Sequence, residues 1–304
     1  MAWGDLSYQA GTRKEDLLDF IADVSPDDNP LSTLFGTTKA KDPIHSWTED
    51  YQGRPTAIVS RVEGADATFA DLTNPARRTN VTHIISETYR VSGTLRAADV
   101  AGMSDMLDYQ ANKASQIFKN DLEFAILRGA LTSGASGSAA QMAGIQATVT
   151  SHYTPLLSGT SLSEEHLNAM VLGVASDVGM NDLFDMLVLP LQLRQKVSTF
   201  TAGATKFVDQ SDKRLTRPVA VYESDFNVMR VFAHKDVTNA VATPGPRVLG
   251  LREDKWKIAW YRSPKREALA KLGDAERGQI IGEVTLEYLA ERTNAQSSGF
   301  AQAG

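Results

Sequence analysis

The 304-residue sequence contains no cysteine. This absence excludes disulfide bonds, thiolate zinc sites and cysteine nucleophiles, and it is in keeping with folding in a reducing cytosol. No apolar run reaches the ~18 residues that a membrane span needs. The start of the chain also lacks the basic region and apolar core of a signal peptide. The sequence therefore predicts a soluble protein without disulfides or membrane segments.

The chain also lacks an excess of positive charge. The net charge is −6, the estimated pI is 5.4, and the densest basic spot is the pair Arg77–Arg78. Nucleic-acid binders usually carry a basic patch or stripe, so the composition excludes a wide surface that grips phosphate. The hydrophobic fraction of 42% is that of an ordinary globular protein. A chain of this length folds as one large or two medium domains.

No pattern of catalytic or ligand-binding residues is present. The five histidines are His45, His83, His152, His166 and His234. None belongs to H-E-x-x-H or to another close pair with metal-ligand spacing. His45 lies in DPIHSWTED with Glu49 four residues later, a spacing that brings side chains together on a helix but not on a strand. The Gly/Ser-rich SGASGS lacks the P-loop lysine and the G-x-S-x-G elbow. We expect no catalytic, cofactor or metal site, and hence no enzyme.

A long two-stranded ribbon is predicted between Ile44 and Gly93. VTHIISETYRV (81–91) alternates apolar and polar residues, which is typical of a strand with one covered face. His83 is interpreted there as a packed histidine. TAIVSRV (56–62) is the predicted partner strand, and an Asn-Pro turn lies between them. Such a ribbon has too few large apolar residues for a core of its own, so it must lie on the rest of the chain or on a neighbouring subunit.

A long amphipathic helix is predicted from Gly102 to Gly129, roughly 40 Å in length. Its apolar positions are spaced by three or four residues: Met103, Leu107, Ala111, Ala114, Phe118, Leu122 and Ala125. Ser104 is the expected N-cap and Gly129 the expected C-cap. The following stretch, 131–144, loses this periodicity and is predicted to be a loop.

The remaining signals alternate between helix and strand. A short helix is expected at Asp16–Ser25 in an otherwise polar arm. A capping box, Ser161-x-x-Glu164, is expected to open a second helix, whose apolar face carries Leu167, Met170, Val171 and Val174. We further expect a helix at 191–200 and a turn at Thr243–Arg247. The predicted strands cover 186–190, 219–224, 227–234, 255–262 and 278–295.

This order of elements resembles the major capsid proteins of tailed bacteriophages, which have the Hong Kong 97 (HK97) type of fold. Several stretches are similar to the SU10 group of these proteins. They are VSPDDNPLSTLFG in the arm, HSWTEDYQG at the ribbon, NDLEFAILRG at the end of the long helix, VAVYESDFNVMRV, and ALAKLGDAERGQIIGEVTLEYLAE near the end. The likeness covers nearly the whole chain. It departs from the family pattern at Asn227, where glycine is expected after SDF.

The resemblance implies an α+β HK97-type fold with five parts. These are an N-terminal arm (1–43), an extended β-hairpin or E-loop (44–93), a peripheral domain with the spine helix (94–145), an axial domain (146–251), and a return through the peripheral domain (252–304).

The resemblance also implies a function. The chain would assemble through hexamers and pentamers into the icosahedral head of a tailed phage around double-stranded DNA. Its further partners would be a portal and separate scaffolding or decoration proteins. It would reside in the virion after assembly in the host cytoplasm, and its acidic balance suits a wall that must not adhere to DNA. The alternatives are an encapsulin-like nanocompartment shell or, from another class, a soluble hydrolase or binding protein.

The ribbon supplies the candidate inter-subunit residues, which are Trp47, Glu49, Asp50, Arg54, Arg61, Arg77, Arg78 and Arg90. Trp47 is expected to be an apolar anchor, and the carboxylates and arginines are expected to pair. No lysine occurs between Lys41 and Lys113, so the lysine–asparagine cross-link of the family's type member is expected to be absent from the ribbon and the shell to be non-covalent. Because the arm begins almost at Met1, we also expect any scaffold to be a separate protein.

Overall fold

A computed structural model describes residues 29–51, 58, 60–64, 66, 74–98, 105–197, 200, 220–237, 246–271 and 273–301. The helices are α1 (Pro30–Leu34), α2 (Gly93–Ala97), α3 (Met106–Arg128), α4 (Ile145–Thr148), α5 (Glu164–Val178) and α6 (Leu191–Val197). The first six strands are β1 (Gly36–Lys39), β2 (Ile44–Glu49), β3 (Ala76–Val81), β4 (His83–Ser92), β5 (Tyr153–Thr160) and β6 (Met186–Leu189). The others are β7 (Ala220–Glu223), β8 (Val228–Ala233), β9 (Arg247–Leu251), β10 (Trp256–Leu269), β11 (Ala275–Tyr288) and β12 (Ala295–Phe300).

A four-stranded sheet with the order β1-β10-β11-β4 forms one half of the molecule. Its centre is the antiparallel pair of β10 and β11, each 14 residues long, in which Ile258 lies opposite Leu286. The pairing shifts register on both sides of Arg262, close to Pro264. Proline lacks a backbone N–H and is tolerated in strands mainly at such irregularities. The sheet therefore bends in the middle of β10.

Helix α3 packs against this sheet along the predicted apolar face. Ala111, Ala114, Phe118, Leu122 and Ala125 are all buried, whereas Leu107 is only half-buried. At 23 residues the helix is about 34 Å long. Its sequence-predicted C-cap is confirmed, since the Gly129 N–H bonds to the Ala125 carbonyl.

Gly129 is required by close packing at the end of α3. A β-carbon at this position would lie 2.4 Å from the Met142 carbonyl oxygen. The Gly144 N–H donates to the Gly129 carbonyl at 2.8 Å, so the chain returns directly onto the helix end. No side chain larger than hydrogen fits between the two backbones.

A six-stranded sheet with the order β5-β12-β9-β6-β8-β7 forms the other half. Its central strand, β6, is buried at all four positions, as its uninterrupted apolar sequence predicts for a strand covered on both faces. Helix α5 contributes the predicted buried face, Leu167, Met170, Val171 and Val174. The last strand, β12, joins this second sheet between β5 and β9, not the sheet of β10 and β11.

Three local predictions are wrong. The partner of β4 is β11 and not Thr56–Val62, and the described residues in that stretch (58 and 60–62) lie outside any strand. The N-cap of α3 is Asp105, whose carboxylate accepts from the Leu107 N–H at 2.8 Å, and not Ser104. Helix α5 begins after Ser163 without a capping box. Ser161 instead accepts a bond from Lys196 at 2.8 Å.

The other predicted elements agree with the structure in type. Strands occur within 186–190, 219–224, 227–234, 255–262 and 278–295, and α6 lies in the helix predicted at 191–200. The predicted arm helix at 16–25 lies outside the described residues, as does most of the turn at 243–247. None of the helices in the described part of the chain combines the length and hydropathy needed to cross a bilayer.

Candidate assembly interface

Strands β2 and β3 form a separate antiparallel ribbon that carries most of the sequence-predicted contact residues. Ile44 pairs with Val81 at one end and Glu49 with Ala76 at the other. We call the end at Ile44 and Val81, together with the side chains that hold it, the ribbon base. At this base the side chains alternate between solvent and the rest of the subunit. The cluster DPIHSWTED therefore belongs to an extended strand and not to a helix.

Trp47 lies at the ribbon base and contacts residues of its own chain. Its ring meets Tyr288 edge to face at a centroid distance of 4.8 Å. Tyr288 in turn lies 6.1 Å from Trp256, which stacks on Phe35 at 5.9 Å. Such aromatic pairs add stability beyond simple burial. The predicted anchor thus joins the ribbon to the core through a chain of aromatic rings.

The Trp47 indole nitrogen is buried and has no hydrogen-bond partner within the described part of the chain. Buried polar groups are normally paired, and within the described residues the Trp47 N–H departs from that rule.

Glu49 also has partners within the chain. One carboxylate oxygen accepts from the Arg78 Nε at 2.7 Å, and the other accepts from the Glu291 backbone N–H at 3.1 Å. The bond to Glu49 raises the pKa of Arg78. The predicted carboxylate–arginine pairing therefore exists, but it connects the two strands of one ribbon.

Asn80 is a structural residue that sequence reasoning missed. Its side-chain amide is buried and donates to the Leu286 carbonyl at 2.8 Å and to the Ala143 carbonyl at 3.1 Å. Its oxygen accepts from the Ala143 N–H at 2.9 Å. One amide thus ties β3 to β11 and to the loop after α3. Its only sequence signal is a polar residue at an inward position of a strand.

A polar cluster marks the point where the chain leaves the ribbon. The Tyr51 hydroxyl donates to Asp177 at 2.5 Å, and Arg292 donates to both Asp177 oxygens at 3.1 and 3.2 Å. The guanidinium also lies 4.1 Å from the Tyr51 ring centroid. Burial raises the pKa of Asp177, but the bond from Tyr51 and the charge of Arg292 outweigh it and lower that pKa. Both partners therefore favour the ionised carboxylate.

The described residues between Tyr51 and the start of β3 are exposed. Ile58 and Val62 expose 96% and 80% of their surface. Gly64 has a φ of +80° and follows Glu63 in a turn. Aliphatic side chains on a soluble surface are usually isolated or partly covered. Ile58 and Val62 are therefore two strongly exposed aliphatic residues within one short segment.

The other predicted contact residues are distributed over different surfaces. Asp50, Arg61 and Arg77 are exposed, and Arg77 donates to the Ser46 hydroxyl at 3.0 Å. Arg90 lies outside the ribbon, on the exposed face of β4 opposite Arg277. Arg54 lies outside the described residues.

A basic cleft lies on the four-stranded sheet beside the bend in β10. Its volume is about 340 Å³, and its lining includes Lys39, Arg262, Lys265 and Glu267. Arg262 is paired with Glu283 at 2.8 Å. Neither lysine has an ion-pair partner among the described residues. Because Glu267 is the one carboxylate among its lining residues, the cleft carries a small excess of positive charge.

The histidines do not converge on a site. His45 contacts Glu287 at 2.9 Å, His152 approaches Asp177 at 3.3 Å, and His234 contacts Glu123 at 3.1 Å. His166 lies beside Ser163, and His83 is packed on β4. The part of the chain that the structure describes contains no group of three or more His, Cys, Asp or Glu residues arranged to hold a metal ion.

Asn227, which stands where the family pattern has glycine, forms hydrogen bonds that stabilise the turn between β7 and β8. Its side-chain amide donates to the Phe184 carbonyl at 2.6 Å, and its backbone N–H donates to the Ser224 hydroxyl at 3.1 Å. Its φ is not positive, since the described non-glycine residues all have negative φ. The β7–β8 turn therefore does not need glycine and gains an anchor to the segment before β6.

Comparisons with known proteins agree with this architecture. The model of the SU10 major capsid protein family matches residues 4–300. The major capsid protein of Escherichia phage Phieco32 is 29% identical over 124 residues, which are 41% of this chain and 35% of that protein. The match thus spans about a third of that relative's length.

Two solved structures have the same fold. One is the capsid of the native GTA particle, with 10% identity, 97% coverage of both chains and a TM-score of 0.67. The other is the SrpI encapsulin of Synechococcus elongatus PCC 7942, with 10% identity, coverage of 100% and 98%, and a TM-score of 0.60. Together they confirm the α+β, HK97-type fold. Because the family match spans nearly the whole chain, the protein belongs to the SU10 major capsid protein family.

Proposed function

We propose that this chain is the major shell subunit of a tailed-phage head, assembling through hexamers and pentamers around double-stranded DNA. A portal and separate scaffolding or decoration proteins would complete the particle in the host cytoplasm. Family membership supports a structural protein and not an enzyme. The observation that carries the assembly proposal lies in the segment between β2 and β3, where the described apolar side chains of Ile58 and Val62 expose 96% and 80% of their surface.

A neighbouring copy would cover the ribbon through a heterologous contact, in which different surfaces of two identical chains meet. Repetition of such a contact closes into rings when the rotation permits. Permanent interfaces of this kind commonly bury more than ~2,000 Å². Asn80 holds the ribbon at its base, and the Tyr51–Asp177–Arg292 cluster holds the chain just beyond the end of β2, so the subunit would present its ribbon in a defined direction.

Charge complementarity indicates where the ribbon would lie. Between Arg61 and Arg77 the sequence contains Glu63, Asp66 and Asp71 but no basic residue. The basic cleft, with Lys39 and Lys265, is a matching surface. Complementary potentials of this kind set specificity and orientation more than raw affinity. We infer that the acidic turn of one subunit lies against the basic cleft of the next.

A charge exchange tests this contact. Glu63→Lys together with Asp66→Lys should abolish assembly while leaving a soluble subunit, because like charges would face each other. Adding Lys39→Glu and Lys265→Glu should restore particles, as seen by electron microscopy and sedimentation. As a control, the exposed Glu165 is replaced by lysine. Normal assembly of the first variant, or no rescue in the second, would contradict the contact.

The five-part division also belongs to the proposal: arm 1–43, E-loop 44–93, peripheral domain with α3 as the spine helix 94–145, axial domain 146–251 and return 252–304. Under this division the ribbon strands β2 and β3 would fall in the E-loop, and the six-stranded sheet would be the core of the axial domain. β4 of the E-loop range pairs with β11, and β12 of the return range pairs with β5. The proposed domains would therefore exchange strands.

The second candidate is an encapsulin-like nanocompartment, because SrpI has the same fold. Purified particles distinguish the two functions. Nuclease-protected double-stranded DNA inside the shell would support the phage head, whereas protein cargo without DNA would support the nanocompartment. A stable species of ~33 kDa under all assembly conditions, which size-exclusion chromatography would detect, contradicts both.

A further inference from the structure

Two arginines lie directly opposite each other in the four-stranded sheet. Arg90 of β4 is in register with Arg277 of β11. Residues opposite each other on antiparallel strands project from the same face, with their β-carbons about 5 Å apart, and like charges in this arrangement destabilise a sheet. We call these two residues the arginine pair. Their position lowers the stability of the subunit unless an anion lies between them.

No carboxylate in the described part of the chain neutralises the arginine pair. Neither guanidinium has an ion-pair partner among those residues, and the buried Nε of Arg277 has no hydrogen-bond acceptor. Glu276, the next residue back in the chain, is paired with Arg96. Glu267, on the neighbouring strand, accepts instead from Gln279 Nε2 at 3.0 Å. The nearby carboxylates therefore serve other partners.

The arginine pair faces away from α3. Tyr89 and Gly278, which are adjacent to the pair in their strands, lie opposite each other. The Tyr89 hydroxyl accepts from Arg266 Nε at 2.7 Å, and Arg266 also donates to Asp108 of α3 at 2.9 Å. Tyr89 is therefore on the α3 side of the sheet. Because successive side chains of a strand alternate between its faces, the arginine pair projects from the other side.

The face that carries the arginine pair also carries the basic cleft. Thr88 and Arg90 of β4 and Leu269 of β10 are exposed on it. Ile281, which lines the cleft, follows Arg277 by four residues in a stretch of β11 without a register shift. It therefore projects from the same face, about 13 Å away. The cleft and the arginine pair are two separate basic sites on one exposed sheet face.

A carboxylate is the anion that fits the arginine pair. Arginine binds carboxylates through parallel hydrogen bonds, and a negative charge between two guanidinium groups would replace their repulsion by attraction. Neighbouring copies of this chain are a source of carboxylates, since each copy has 37 acidic and 31 basic residues. DNA phosphate is less suitable, because nucleic-acid binders present a continuous basic patch. On this face Glu267 lies between the pair and the cleft, where it would repel a row of phosphates.

We propose that the arginine pair receives an aspartate or glutamate side chain of a neighbouring copy when the shell forms. This inference rests on the proposed shell function and adds a second contact site beside the basic cleft. The pair would destabilise the free subunit and stabilise the shell. Removal of one of its charges should therefore have opposite effects on the two states.

Arg90→Gln tests the first effect in the unassembled subunit. Its midpoint of urea denaturation should lie above that of the wild type at low salt, because the repulsion is removed. The gain should disappear at about 1 M salt, where charges are screened beyond about 3 Å. Lys119→Gln removes the same charge from an exposed position of α3 and should leave the midpoint unchanged. A midpoint for Arg90→Gln at or below that of the wild type, or a gain independent of salt, would contradict the repulsion.

Shells assembled without DNA test the second effect. Arg90→Gln should need a subunit concentration about tenfold or more above that of the wild type, because each interface loses a charge-assisted contact. Lys119→Gln should assemble as the wild type does, by sedimentation and electron microscopy. Unchanged assembly of Arg90→Gln, or a defect confined to DNA-filled particles, would overturn the proposal but not the shell function. Failure of the wild-type chain to assemble would refute the shell function itself.

Cross-linking identifies the carboxylate. Arg90→Lys keeps the positive charge and places one amine in a stretch that has no lysine between Lys41 and Lys113. In particles built from a mixture of isotope-labelled and unlabelled copies, a carbodiimide should join this amine to an aspartate or glutamate of another copy. Mass spectrometry should find that linked peptide in particles and not in unassembled subunits. A link formed only within one copy, or no link at this position, would contradict the contact.

Discussion

Replacing Glu123 by alanine should destabilise the subunit more than any surface substitution. The change leaves three donors without their acceptor, namely the Leu31 and Ser32 N–H groups and His234 Nε2. A buried donor left unpaired costs about 1–3 kcal/mol. The total is reduced because the buried carboxylate no longer has to be desolvated. With three donors affected, we therefore expect a loss of about 3–5 kcal/mol in the free energy of unfolding.

Chemical denaturation of the unassembled subunit, followed by tryptophan fluorescence, measures this loss. Glu123→Gln keeps the shape and one acceptor oxygen, so its loss should be smaller, about 2 kcal/mol. Lys119→Ala, on the exposed side of the same helix, should stay within about 0.5 kcal/mol of the wild type. His234→Ala combined with Glu123→Ala should cost less than the sum of the single changes, since both remove the same contact.

The reasoning would be refuted if Glu123→Ala lost less than about 1 kcal/mol, or no more than the Lys119→Ala control. In that case the arm would be held by other contacts, and the carboxylate would be a tolerated buried charge.

Three further predictions concern the ribbon and the sheet. Trp47→Ala should prevent shell formation while leaving a soluble subunit, because the ribbon loses its contact with Tyr288; normal particles by electron microscopy would show that the anchor is dispensable. Burial lowers the pKa of His83 below 6.5, although Asp121 opposes the shift, so stability should fall as pH falls through about 6.5 and below. His83→Asn should flatten denaturation midpoints measured between pH 7 and 5, and an unchanged slope would assign the effect elsewhere. Boiled, denatured particles should run as a single ~33 kDa band, because the ribbon has no lysine between Lys41 and Lys113, whereas a covalent ladder would contradict the non-covalent shell.

Local patterns were sufficient to predict most of the elements. The apolar spacing of α3 and α5 and the alternation in β4 depend only on neighbouring residues, and the structure buries the predicted faces. The errors concern helix starts, where Asp105 and Ser163 replaced the predicted Ser104 and Ser161. Two neighbouring start positions of a helix differ by a single capping hydrogen bond, and several nearby polar residues can form that bond.

Pairing between distant strands was beyond sequence reasoning. β4 was given a neighbour close in the chain, but its partner β11 begins more than 180 residues later. The alternation of apolar and polar residues in β4 is compatible with pairing to either strand. A strand's residue pattern indicates which of its faces is buried, but not which strand lies next to it. The same holds for β12, which closes the second sheet from the far end of the chain.

For the candidate interface, too, some features were predictable from the sequence and others only from the folded structure. The order of sequence motifs indicated the family, and the resemblance implied an assembly role for Trp47, Glu49 and the arginines, which stays a prediction. Only the tertiary structure showed that Trp47 and Glu49 contact residues of their own chain, and that Ile58 and Val62 are exposed. It also revealed Asn80 and Glu123, single polar residues whose importance depends on the distant backbone groups they bind. Burial and hydrogen bonding are properties of the folded chain, whereas periodicity and composition are properties of the sequence itself.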